Sequence, residues 1–226
     1  MAKVIVATVG SWNVSRFHQW ESDNQHDVRL ILGQAEFSLE TINEFAPHYI
    51  FFPQWYWKIP EAIFENYECV VFHMTDLPFG RGGSPLQNLI LRGIYRTQLS
   101  AIRVVEVMDS GPVYLKYPLS LHGSASEIYI RASETTFEMI DEILESRLTP
   151  KNQKGEVVKF KRRTASESEI PPRDDLQDLY DFIRMLDAEG YPQAFLTHAG
   201  YRYEFSRASL RDGHIVADVM VVPLSK

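Results

Sequence analysis

The chain has 226 residues, 45% hydrophobic and 23% charged, and 30 Asp plus Glu against 23 Lys plus Arg leave a net charge of −7. This is the composition of a folded globular chain, and its acidic balance argues against a broad nucleic-acid surface. No stretch approaches the roughly 18 apolar residues of a membrane span, and the opening MAKVIVATVG is too short and strand-like for a secretory leader, so a cytoplasmic protein with no membrane partner is expected.

In chain order, residues 3–9 read as a first strand, followed by a turn at GSWN and a poorly patterned segment. A second strand covers 27–32, Ser38 caps a short helix, and a third strand covers 48–52. After PQWYW, Pro60 opens a helix from a position where proline is tolerated, and 69–72 form a fourth, buried strand. The single cysteine, Cys69, lies in this apolar run and reads as a buried thiol. DLPFGRGGSP is too rich in Gly and Pro to be regular; Pro85 then opens a helix ending on Gly93. Strands at 99–107 and 112–118 flank a tight turn, MDSG. The longest helix is expected over 125–147, closing on Arg147, with Ile128, Ala132, Phe137, Ile140 and Leu144 near helical spacing. A polar stretch leads to the amphipathic helix DDLQDLYDFIRML and to β-rich runs at 194–206 and 214–223 around an Arg211-Asp212-Gly213 turn.

Short strands alternating with helices imply an α/β fold: a Rossmann-like, mainly parallel sheet with helices on both faces, plus a small α+β C-terminal unit. The expected division is a catalytic domain at 1–150, a linker at 151–172 and a C-terminal helix and hairpin at 173–226.

Several common chemistries lack their motif. VGSWNVS is not G-x-G-x-x-G, RGGSP lacks the lysine and hydroxyl of a phosphate-binding loop, and there is no G-x-S-x-G elbow. The seven histidines form no i, i+4 pair and stand near no cysteine cluster, so no metal is expected. His73 is different. It closes an apolar strand and is followed at once by the Gly/Pro-rich loop, the place where open α/β sheets hold ligands.

The run VFHMTDLPFGRGGSPLQNLILRG, followed after a strand by VVEVMDSGPVYLKYPLSL, closely resembles the formyltransferase family that includes methionyl-tRNA and glycinamide-ribonucleotide formyltransferases. The residues carrying the likeness are His73, Thr75, Leu77, Pro78, Arg81, Gly82 and Pro85, then Asp109 and Gly111, with Asp109 36 positions after His73. LYDFIRMLDAEGYPQAF resembles the opening of the tRNA enzyme's C-terminal domain, in abbreviated form. The resemblance implies transfer of a formyl group from N10-formyltetrahydrofolate to an amine. It also implies that His73 polarises the carbonyl or accepts a proton, while Asp109 orients the ring and stabilises its charged form.

One family position departs. The asparagine two residues before the histidine, which donates to the developing oxyanion, is Val71 here. Gln54, at the start of the loop aligned with the family's folate-binding loop, is expected to supply the missing amide. Trp55, Tyr56 and Trp57 of that loop, with Val107 and Met108, are expected to line the pterin pocket. Ser11, Asn13, Arg81, Gly82, Gly83 and Ser84 are expected to bind the acceptor, with Arg81 on a phosphate.

Among relatives the sequence looks most similar to the sugar N-formyltransferase branch. The acceptor expected from it is therefore a nucleotide-linked amino-deoxysugar such as a UDP-linked 4-amino-4,6-dideoxysugar of the pseudaminic type, for surface polysaccharide, and not a nucleic acid. The alternatives are an aminoacyl group on a carrier protein or tRNA, and an inactive binding module of the same fold. A homodimer is compatible with either.

Overall fold

The computed structural model describes residues 1–146 and 148–224; Arg147, expected to end the long helix, and the last two residues of the expected C-terminal unit lie outside them. The elements run β1 (Lys3–Ala7), α1 (Ser11–Asp23), β2 (Asp27–Ile31), α2 (Leu39–Phe45), β3 (Tyr49–Phe52), α3 (Glu61–Phe64) and β4 (Glu68–His73). They continue with β5 (Phe79–Gly82), α4 (Pro85–Ile90), β6 (Arg96–Arg103), β7 (Val113–Ser120), α5 (Ala125–Ser146), β8 (Val158–Phe160) and a 3-10 turn (Ala165–Ser168). Last come α6 (Leu176–Arg184), β9 (Ala194–His198), β10 (Tyr201–Arg211) and β11 (His214–Pro223).

Six strands form one sheet in the order β2-β1-β3-β4-β6-β7, parallel from β2 through β4 and antiparallel where β4 meets β6. The largely parallel α/β architecture is thus present. Val4, Ile5, Val6 and Ala7 are all buried, as parallel strands covered on both faces require. On one face Ile5, Ala7, Ile31, Ile50, Phe52 and Cys69 pack with Ile42 and Phe45 of α2 and Ile63 of α3. Local signals fixed these helices: the Ser38 hydroxyl accepts from the Thr41 N–H, Pro60 precedes α3, and Pro85 starts α4.

Three local expectations need correction. GSWN is not a turn before an unpatterned segment: from Ser11 the chain forms a 13-residue helix, α1, which buries only Asn13, Phe17 and Trp20. Its support is tertiary: the Trp20 indole donates to Asp141 at 2.6 Å and lies against Phe137. The Gly/Pro-rich loop contains the short strand β5, which pairs with β8, inside the stretch read as a linker. The run at 194–206 breaks at Ala199-Gly200, both at positive φ, into β9 and β10, which join β11 in a three-stranded antiparallel sheet.

The chain forms two compact units that interleave along the sequence. One comprises Met1–Gly82, Thr97–Leu119 and Ile130–Lys159; the other comprises Gly83–Arg96, Ser120–Tyr129 and the chain from Phe160 onward. Within the second, Arg184 is buried, pairs with Asp181 at 2.5 Å and donates to the carbonyls of Leu121 and Gly123 at 2.7 Å. Among the described residues, no helix is long and apolar enough to cross a membrane.

Candidate active site

His73 is the last residue of β4 and is 8% exposed. Its Nε2 lies 2.8 Å from the Gly80 carbonyl, which can only accept, so Nε2 carries a proton and, in the neutral imidazole, Nδ1 holds the lone pair. The Asp109 carboxylate faces that lone pair, Oδ2 to Nδ1, at 3.8 Å. This is ion-pair range but longer than a hydrogen bond. The same Oδ2 accepts from the Gly82 N–H at 2.8 Å. Two loops far apart in sequence therefore meet through His73, Gly80, Gly82 and Asp109.

Each loop is fastened. Thr75, fully buried, donates to the Gly80 carbonyl at 3.4 Å, and its own carbonyl accepts from Ser100 of β6 at 2.7 Å. Asp109 has φ 55, in the left-handed region that costs a non-glycine residue energy, and Ser110 N–H closes the turn onto Val107 O. Gly111 is obligatory by packing, because a Cβ there would stand 1.8 Å from the Arg103 carbonyl oxygen.

Several of the residues expected to bind the acceptor are engaged within the protein. Arg81 directs Nε and Nη2 at the side-chain oxygen of Gln153, at 3.1 and 2.7 Å, so its fork is engaged inside the protein. Gly82 spends its N–H on Asp109. Gly83 makes room for the Arg162 backbone, whose Cα would lie 2.7 Å from a Cβ, and the Ser84 hydroxyl accepts from the Arg163 N–H at 3.0 Å. Ser11 is exposed at the start of α1, whereas Asn13 is buried and donates to Val9 O and to Gln54. Trp55 packs on Phe37, Phe52 and Trp57 beside the core cluster, while Tyr56 is 46% exposed. Val107 and Met108, next to Asp109, are 63% and 70% exposed.

Residues 165–222 match the family model described as the C-terminal domain of methionyl-tRNA formyltransferase. A solved structure described as methionyl-tRNA formyltransferase from Clostridium thermocellum is 49% identical over 99% of this chain and 100% of its own, with a TM-score of 0.97. The chain belongs to the formyltransferase family. The methionyl-tRNA formyltransferase of Geobacillus sp. (strain WCH70) is 27% identical to this family member over 151 residues, 63% of this chain and 47% of that protein. This formyltransferase-family chain thus spans about half the length of the curated relatives it matches. A 4-N formyltransferase from Francisella tularensis shares the fold at a TM-score of 0.66 and 15% identity, covering 100% of this chain and 98% of that one.

Against the family pattern, Val71 packs on the apolar cluster and stands opposite Phe52 across the parallel β3–β4 pair. His73 lies two residues farther along β4, and Gln54 lies two residues past Phe52, in the bend that follows the end of β3. The Gln54 oxygen accepts from Trp12 Nε1 at 3.0 Å and Asn13 at 3.3 Å, and its nitrogen donates to the Tyr56 hydroxyl at 2.8 Å. A primary amide has two N–H hydrogens, and these bonds use one.

Sequence reasoning missed Trp12, Gly80 and Gln153. Trp12 lay in what read as a turn, Gly80 acts through its carbonyl, which no side-chain pattern reveals, and Gln153 stood in the polar stretch read as a linker.

Burial accounts for Cys69. It pushes the thiol up to about 12, aided by the nearby Glu68 charge, which removes the thiolate a nucleophile needs.

Proposed function

We propose that the chain transfers a formyl group from N10-formyltetrahydrofolate to a primary amine, with His73 as the proton acceptor, Asp109 as its electrostatic partner and Gln54 as the amide donor to the developing oxyanion. The observation that carries this is the tautomer set by Gly80: with Nε2–H engaged, the basic Nδ1 is the atom that looks at the Asp109 carboxylate.

The amine nitrogen attacks the formyl carbon and the C=O electron pair moves to oxygen. Collapse of the tetrahedral species breaks the bond from carbon to N10, which gains a proton while the acceptor nitrogen gives one up. His73 takes that proton at Nδ1, where Asp109 Oδ2 at 3.8 Å stabilises the imidazolium that forms. Val107 and Met108, exposed beside Asp109, and Tyr56 supply the apolar contacts a flat pterin needs, with Trp55 and Trp57 as the packed layer behind Tyr56.

For the acceptor, the reading the comparisons favour is the amino group of methionyl-tRNA, because the 49% identical structure and the matched C-terminal family model both carry that description. A second reading, a nucleotide-linked amino-deoxysugar, is supported by the net charge of −7, which opposes a polyanion.

The test is to incubate the protein with the formyl donor and a panel containing methionyl-tRNA, aminoacyl carrier protein and amino-sugar nucleotides, and to follow mass. Mass gain on one class assigns the acceptor, and His73→Ala should then lower kcat by about 10²- to 10⁴-fold. Binding of donor or acceptor without turnover of any amine would replace the transferase reading by that of an inactive binding module.

A further inference from the structure

We infer that Gln153 is a positioning residue that sets where the Asp109 carboxylate stands relative to His73; this rests on reading the His73–Asp109 pair as the proton-handling site. The carboxamide of Gln153 is used completely. Its oxygen accepts two N–H groups of Arg81, at 3.1 and 2.7 Å, and its nitrogen donates to the carbonyls of Asp109 and Gly111, each at 2.8 Å. Two charge-assisted bonds on the oxygen polarise the amide and strengthen both N–H donors.

Backbone register delivers the side chain. Val113 and Lys151 form an antiparallel bridge, with N–H···O distances of 2.7 and 2.8 Å in both directions. Two residues back along one segment and two forward along the other, Gly111 and Gln153 fall opposite each other.

What Gln153 grips is a strained loop. Asp109 holds φ 55, a conformation that persists only when its surroundings over-determine it. Gly111 is pressed against the Arg103 carbonyl on one side, and Gln153 ties the carbonyls on either side of Ser110. The result is an Oδ2 that reaches Gly82 N–H at 2.8 Å and stops 3.8 Å from His73 Nδ1. A loop free to move by about an ångström would lose one relation or the other, a misplacement worth up to about 100-fold in rate.

The test compares Gln153→Met, Gln153→Glu and Asp109→Ala in the full chain, by steady-state kinetics and by the NMR signal of the Gly82 amide. Gln153→Met keeps the side chain's bulk but has no amide. Gln153→Glu keeps an acceptor for Arg81 but donates nothing to the loop. Both should lower kcat by roughly 10- to 100-fold with KM for each substrate within about twofold, and both should move the Gly82 amide upfield toward its position in Asp109→Ala. A Gln153→Glu protein with wild-type kcat and an unmoved Gly82 signal would show that residue 153 serves only to anchor Arg81, and would overturn the inference. If Gln153→Met fails to fold, Gln153→Glu decides alone. Full turnover by Asp109→Ala would instead defeat the reading of the pair, and the Gly82 signal, which needs no acceptor, would still report whether Gln153 positions the carboxylate.

Discussion

Replacing Gly111 by alanine perturbs the candidate site without touching any of its polar groups. The new Cβ would stand 1.8 Å from the Arg103 carbonyl oxygen, and since ordinary contact begins near 3.4 Å, a gap of about 1.6 Å must open. Arg103 will not yield. It pairs with Val70 in the sheet, donates its N–H to Pro112 O at 2.9 Å, and clamps Glu68 through two 2.6 Å bonds. The displacement therefore falls on the loop that carries Asp109, two residues away. A shift above 1 Å costs about 100-fold in kcat, or about 2.7 kcal/mol on the barrier, whereas overpacking costs about 1–3 kcal/mol of stability and leaves the chain folded. Steady-state formyl transfer beside thermal melting measures both. A Gly111→Ala protein with kcat within about threefold of wild type would refute the view that the backbone position of this loop governs the reaction.

Gln54→Ala should lower kcat by about 10²- to 10³-fold with His73 intact, as loss of one oxyanion donor does, and a near-normal rate in the same assay would remove Gln54 from the mechanism. Arg184→Leu should destabilise the protein by about 3–5 kcal/mol in urea unfolding, since it strips the buried Asp181 of its cation and leaves the Leu121 and Gly123 carbonyls without that donor; a loss below 1 kcal/mol would count against this. For Cys69 the folded thiol is raised from 9.0 to about 12, so the unfolded chain ionises first. Stability from this group is whole below pH 9 and falls by at most about 1.4 kcal/mol per pH unit between there and pH 12, a decline that Cys69→Ala should flatten in denaturation curves taken across that window.

How far the sequence speaks depends on the range of the interaction behind each feature. The Ser38 cap, the prolines before α3 and at the start of α4, and the Gly213 turn between β10 and β11 were legible because their causes lie within a few residues. The nearness of His73 and Asp109 was legible through two motifs in register, not through any local geometry. By contrast α1 carries no side-chain cap and only three buried residues, so its periodicity was too weak to register until Trp20 is seen on Asp141 and Phe137.

On its own, then, the sequence determined the mainly parallel sheet, the short helices around it and the residue types able to handle a proton, since alternation, capping and chirality act over short spans of chain. Tertiary structure alone decided which groups are free to act. It engaged Arg81 with Gln153, joined Gly82 to Asp109 and set the histidine tautomer through the Gly80 carbonyl. A hydrogen bond between residues far apart in the chain leaves no periodic trace, and it is such bonds that define this site.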